Sequence, residues 1–271
     1  MDALVTVFCF ITLALRPGTA RKANTLDERL QFSVTNHHPC RRTGSSKWTE
    51  KIRFPDISTA NLTENPYAKG CYYLSGTVTV NEHIAGDLEI YVEERLNSLN
   101  AEPSDCVDYD RNGCGGRGTC LYCETCRDIL KHQAYRTTQT RILVDGQPLD
   151  CGRGLRKASR KRIAIHFCMP TKEEFLKANQ ITEQDWDELK NAGHHKKTSS
   201  QSIHLKLYIF DRKVRSLLVA ERKLKKFWSL RRPEWTPSKR QKGLFAFSQY
   251  IAKEKGYIAC HKISGNVIIP S

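Results

Sequence analysis

Methionine is scarce in this 271-residue chain, with two residues against eleven cysteines. Cytosolic chains keep their thiols reduced, so that ratio points to an oxidising compartment before it points to any chemistry. Long apolar runs are also missing. The longest, Ala3 to Leu15, has thirteen residues, where a membrane-spanning helix needs about 20. With 27% charged residues and a mean hydropathy of -0.55, a polytopic helical membrane protein is excluded. The sequence contains no Gly-x-Ser-x-Gly elbow, no Gly-x-x-x-x-Gly-Lys phosphate loop and no His-Glu-x-x-His zinc pair. Acidic residues are in deficit, 29 against 44 basic ones, which leaves +15 at neutral pH. What is present, 39% apolar and 9% aromatic residues, suffices to bury a globular core.

The apolar run from Ala3 is followed by Arg16-Pro17-Gly18-Thr19-Ala20, where Gly18 and Ala20 suit signal-peptidase cleavage. Residues 1–20 therefore read as a secretory signal peptide cut after Ala20, although Asp2 stands where a positive residue is usual. Cleavage removes Cys9 and leaves Cys40, Cys71, Cys106, Cys114, Cys120, Cys123, Cys126, Cys151, Cys168 and Cys260. An even ten suits five disulfides, whose connectivity spacing alone does not determine. Secretion gives meaning to the one sequon, Asn61-Leu62-Thr63. The mature protein is expected to be soluble and extracellular.

Period-two alternation marks strands. Leu74, Gly76, Val78 and Val80 form one apolar phase, and Leu88, Ile90 and Val92 another, with turn residues between them that suggest an antiparallel hairpin. Ile142 to Val144, Ile163 to Cys168 and Ile203 to Phe210 read the same way, the last with Ile203, Leu205, Leu207 and Ile209 on one face. Ser264-Gly265, flanked by Tyr257 to Ile263 and Asn266 to Ile269, predicts a second hairpin. Helices are fewer. Thr171 with Glu174 forms a capping box, Thr182 caps a short helix through Trp186 and Leu189, and Gly193 ends it. Val214, Leu217, Leu218, Leu224, Phe227 and Trp228 share one face of a basic amphipathic helix. The expected fold is mainly β with helical additions: a disulfide-stapled antiparallel sandwich, a few short helices and that basic helix near the C-terminus. The expected organisation is a cysteine-rich β domain over 21–192, a polar loop or linker over 193–202, and a basic region over 203–271 packed on the same domain or separate from it.

The densest motif is Cys114-Gly-Gly-Arg-Gly-Thr-Cys120-Leu-Tyr-Cys123-Glu-Thr-Cys126. An iron-sulfur run would need a fourth cysteine where Leu130 stands. Zinc could draw on Cys120, Cys123, Cys126 and His132, but secretion opposes free thiolates, so a glycine-rich loop stapled to distant parts of the chain is the preferred reading. Upstream, Asp108-Tyr-Asp110-Arg-Asn112-Gly113 resembles half a calcium loop; Thr119 stands where the bidentate glutamate belongs, and the stretch is also good turn sequence. No metal and no cofactor is assigned. His166 and His204 fall on polar phases of strands, and Cys260-His261, adjacent on a strand, point to opposite faces. No catalytic residue emerges.

Charge is unevenly distributed. Residues 21–150 hold 16 basic and 18 acidic side chains, whereas residues 151–271 hold 27 and 10. One cluster is Arg153, Arg156, Lys157, Arg160, Lys161 and Arg162; another, on the basic helix, includes Arg222, Lys223, Lys225 and Lys226. Outside a cell such clusters suit anionic glycans or anionic lipid surfaces rather than nucleic acid, with a merely solvated basic face as the bland alternative. Lys196-Lys197, Arg231-Arg232 and Lys239-Arg240 also have the form of convertase sites.

Cys114 to Cys126, Phe167-Cys-Met-Pro-Thr-Lys-Glu-Glu-Phe-Leu176 and Ile258-Ala-Cys-His-Lys262 together resemble a roundworm family of secreted, cysteine-rich proteins with a domain of unknown function. That resemblance covers residues 30–190 best and implies no activity. In architecture alone the chain also looks like lipid-recognition domains of the MD-2-related kind. Three functions are expected in order: a secreted, non-enzymatic protein binding anionic surfaces through its basic half; a carrier of lipid or another small apolar ligand in a sandwich pocket; and a secreted hydrolase whose site the sequence does not reveal.

Overall fold

The structure is a computed structural model that describes residues 29–40, 50–54, 61–107, 109–116, 118–125, 141–150, 152–169, 171–173, 176, 182–194, 200–231, 247, 251 and 256–268. Every strand pairing in it is antiparallel. One sheet has the order β1 (Gln31–Pro39), β11 (Ala259–Ile268), β10 (Ser200–Phe210), β5 (Glu89–Leu96), β6 (Cys120–Tyr122). The other runs β2 (Ile52–Arg53), β4 (Cys71–Val80), β9 (Ala158–Cys168), β7 (Arg141–Val144), β8 (Gln147–Pro148), with β3 (Asn61–Glu64) also paired to β4. Two helices are added among the described residues, α1 (Glu183–His194) and α2 (Arg215–Arg231). The expected disulfide-stapled β sandwich is what the chain forms.

Strand alternation buries one phase of each sheet against the other. From the first sheet come Phe32, Ile203, Leu205 and Val267; from the second, Tyr72, with Leu74 and Ile165 packed against the same cluster. Fully buried Trp186 of α1 joins them, and Thr182 caps that helix as expected: its hydroxyl accepts from the Asp185 N–H at 3.2 Å. A second inter-sheet cluster gathers Ile52, Val78, Val80, Ile84, Leu155 and Ile258. The first sheet is also covered outside. Tyr208 and Phe210, out of phase with Ile203 and Leu205, are buried under Val214, Leu218, Phe247 and Tyr257.

Both expected hairpins are corrected. The strands around Leu74–Val80 and Ile90–Val92 exist, but they lie in opposite sheets. The residues between them cross the sandwich, held midway where Ile84 bridges Leu155. Ser264-Gly265 lies inside one uninterrupted strand, β11. Glycine is needed there because a Cβ on Gly265 would meet the Phe32 ring and the Ser33 carbonyl at 2.6 Å. It answers a close approach rather than a turn. Residues 193–202 are shorter as a connection than expected: α1 continues to His194 and β10 starts at Ser200. β10 and β11 are inner strands of the first sheet, so these two strands of the basic C-terminal region belong to the sandwich.

Four disulfides are present among the described residues: Cys40–Cys260, Cys71–Cys168, Cys106–Cys120 and Cys114–Cys123. The described cysteines of the glycine-rich loop, Cys114, Cys120 and Cys123, are thus bridged nearby, across 14 and 9 residues, where staples to distant parts of the chain were expected. Cys126 and Cys151, needed for a fifth bridge, lie outside the described residues, as do residues 1–20 with the cleavage site at Ala20. Of the paired basic residues, only Arg231 is among those described. No helix among the described residues is long and apolar enough to cross a membrane.

Candidate functional site

Between the two inter-sheet clusters the side chains do not meet. A cavity of about 160 Å³ remains there. Val34, Ile90, Leu207, Ile209 and Ile263 line it from the first sheet; Leu74, Val78, Ile163 and Ile165 line it from the second. The sequence of β4 accounts for the gap. Its inward phase runs Leu74, Gly76, Val78, and the middle position, paired with Ile163, carries no side chain to fill the space. An apolar cavity of that size suits a small apolar guest; a cavity of about 150 Å³ lined by aliphatic and aromatic carbon accommodates benzene.

Phe54, His37 and His261 line the cavity with these aliphatic residues. His37 Nδ1 and His261 Nε2 share a hydrogen bond of 3.1 Å, and the His261 ring lies 5.0 Å from Phe54. Burial, and then the neighbouring His37 and His38, hold the His261 pKa down to about 4, so its ring is neutral at pH 7. His261 follows Cys260, whose side chain bonds to Cys40 on the outer side of the same strand. The expected opposition of Cys260 and His261 is present. β1, which supplies His37, has no clean period-two signal because its register slips between Val34 and Asn36.

Glu94 is a second buried polar group that strand phase alone could have flagged, since it follows Ile90 and Val92. It is 1% exposed, accepts a 3.0 Å hydrogen bond from Ser104, and burial pushes its pKa up to about 7. Glu89, on the opposite phase, accepts from the N–H groups of Val214 and Arg215 at 2.5 and 3.2 Å. It caps α2 from another strand. Neither carboxyl forms a hydrogen bond to a histidine among the described residues, and Glu94 is sealed from any substrate.

The zinc set that the sequence disfavours is ruled out at two of its ligands: Cys120 and Cys123 are in separate disulfides, and Cys126 and His132 lie outside the described residues. Cys71, His166 and Cys168 bring ligand-type atoms within 4.8 Å, but the two sulfurs are bonded to each other. In the calcium-like stretch, Asp110 Oδ1 accepts the N–H groups of Asn112 and Cys114, both at 2.8 Å, which makes it a turn device. His204 bonds Ser264 at 2.9 Å, and the His166 ring packs at a tilt against Tyr73, 4.8 Å between centres.

The two basic clusters are separated by the fold. Arg160 and Arg162 are exposed on β9, on the phase opposite the inward Ile163 and Ile165; Arg156 and Lys157, just before it, are exposed as well. Arg153 pairs with Asp150, and Lys161 with Asp145 at 2.7 Å. α2 instead covers the outer face of the first sheet, on the far side of the sandwich. Its Arg222 stacks 4.4 Å from the Tyr109 ring and donates to the Gly113 carbonyl at 3.2 Å, while Lys223 and Lys226 are exposed. The Lys225 side chain lies outside those described. Asn61 is exposed on β3.

The sequence matches no family model and no curated protein.

Proposed function

We propose that this protein is an extracellular, non-enzymatic carrier that holds a small apolar molecule, or the apolar end of a larger one, between its two sheets. The observation that carries this reading is the apolar cavity opened by Gly76. The disulfides, which suit an oxidising compartment, and the signal-like N-terminus support the location. Its size sets the affinity. Six carbons buried at about 0.8 kcal/mol each amount to about 5 kcal/mol, a dissociation constant of about 0.2 mM. Tighter binding would come from a ligand that also touches the protein outside the cavity.

Toluene is a suitable probe, followed by thermal melting and by shifts of the methyl NMR signals of Leu207, Ile163 and Ile165. At about ten times the dissociation constant it should stabilise the fold by about 1.4 kcal/mol and raise Tm by several degrees. Gly76→Leu and Ile165→Phe, which fill the space, should abolish the shifts while leaving a cooperative melt. Mass spectrometry of an organic extract of the secreted protein identifies the natural guest. Absence of both toluene binding and any co-purified apolar compound would reject the carrier.

A further inference from the structure

We propose that the outer face of the second sheet is a binding surface for a sulfated glycan, read by Arg53, Arg160 and Arg162. Strand register makes this cluster, because Arg53 is remote from the other two in sequence. In the order β2, β4, β9, Arg53 pairs with Thr79 and Arg162 with Thr77. A register irregularity between Val78 and Val80 gives β9 an extra residue opposite Thr79, leaving both Ser159 and Arg160 exposed. Neighbouring strands lie about 4.8 Å apart and alternate residues about 7 Å apart, so the three guanidinium groups start from backbone positions within roughly 12 Å of one another. Exposed Arg156 and Lys157 extend the patch beyond the start of β9.

Among the described residues, none of these five cations has an ion-pair partner. Asp145, an acidic group beside them, is already engaged, one oxygen by the Lys161 ammonium and the other by the Arg162 N–H. The spacers Thr77, Thr79 and Ser159 are short and hydroxylated, so they leave the guanidinium groups accessible and present hydroxyl groups on the same surface. Planar guanidinium groups match sulfate oxygens two at a time, which lysines do not. Among the described residues the large exposed apolar side chains, Tyr67, Leu99, Val107 and Tyr109, belong to other segments, so no described residue of the cluster would insert into a lipid surface. A soluble polyanion fits where a membrane does not, and the site is independent of what the cavity holds.

The test is binding of a heparin-derived dodecasaccharide to the full chain, with Asn61→Gln to keep any glycan at the neighbouring Asn61 off the same face. Replacing Arg53, Arg160 and Arg162 with glutamine should weaken binding about tenfold or more, because three exposed guanidinium–sulfate pairs no longer form. Thr77→Glu, a change at a half-buried position on the outer face that places an acid beside Arg162, should weaken it in the same direction. Lys223→Gln with Lys226→Gln, on the opposite side of the molecule, should change it less than about twofold. Chemically desulfated heparin should not bind. A triple variant that still melts cooperatively and binds as wild type, equal loss from the α2 variant, or tighter binding to phosphatidylserine vesicles than to the oligosaccharide would each overturn the assignment.

Discussion

Glu94 and His261 are polar side chains on inward strand phases, and burial moves their pKa values in opposite directions. The Glu94 carboxyl is raised from 4.5 to about 7 in the fold. Its contribution to stability is therefore complete below pH 4.5 and lost as pH rises through 7. For His261, lowered from 6.5 to about 4, the contribution is complete above pH 6.5 and lost as pH falls through 4. Each shift corresponds to about 3 kcal/mol, and between pH 4.5 and 6.5 the two slopes oppose each other. Glu94→Gln removes one of them. The variant should gain on wild type by about 2–3 kcal/mol between pH 5 and pH 8, read from urea unfolding at both pH values. A difference that does not change with pH would contradict the burial of an ionisable carboxyl at this position. The Glu94 phase was legible in the sequence; its burial was not, because that depends on Ser104, Thr119 and the disulfide loop being folded over it.

At the scale of elements, α2 has no acidic residue in its first turn. The free N–H groups and positive end of a helix dipole usually find a partner within the helix or just before it. Here the partner is Glu89, more than a hundred residues earlier, at the start of β5. Glu89→Gln keeps the shape and removes the charge, and should cost about 1 kcal/mol; Glu89→Ala also strands the buried Val214 N–H and the half-buried Arg215 N–H and should cost about 2–3 kcal/mol. Urea unfolding measures both losses, and faster hydrogen exchange at Val214 and Arg215 would localise them to the cap. The amphipathic pattern of α2 was readable from Val214, Leu217 and Leu218, and the strands from their alternation. Hairpin assignments failed for a physical reason: turn residues report that the chain bends, not which sheet it joins next. Gly265 shows the converse, a glycine demanded by Phe32 from another strand.

Across the whole molecule, the disulfides act on very different lengths of chain. Cys40–Cys260 closes 220 residues and ties β1 to β11, whereas Cys114–Cys123 closes 9. If the bridges act through unfolded-chain entropy, replacing both cysteines by serine should cost about 5 kcal/mol at the first and about 2.5 kcal/mol at the second. Equilibrium urea unfolding of the two double variants checks that ordering; a larger loss from the short bridge would mean that native packing within its loop dominates. Likewise, +15 of net charge does not act as one field. The sandwich divides the basic second half, so the β9 arginines and the α2 lysines face different surroundings.

Composition and short-range pattern determined what depends on neighbours along the chain: many half-buried strands, few helices, cysteines suited to bridges, an excess of base late in the sequence. The tertiary structure decided what depends on residues far apart. It paired the cysteines, placed β4 and β5 in opposite sheets, set Arg53 beside Arg162 through β4, and left a cavity where Gly76 faces Leu207 and Ile209 across the core. Periodicity specifies which side of a strand is apolar. Whether two apolar sides fill the space between them is set by the sum of volumes from both sheets, which no local pattern contains.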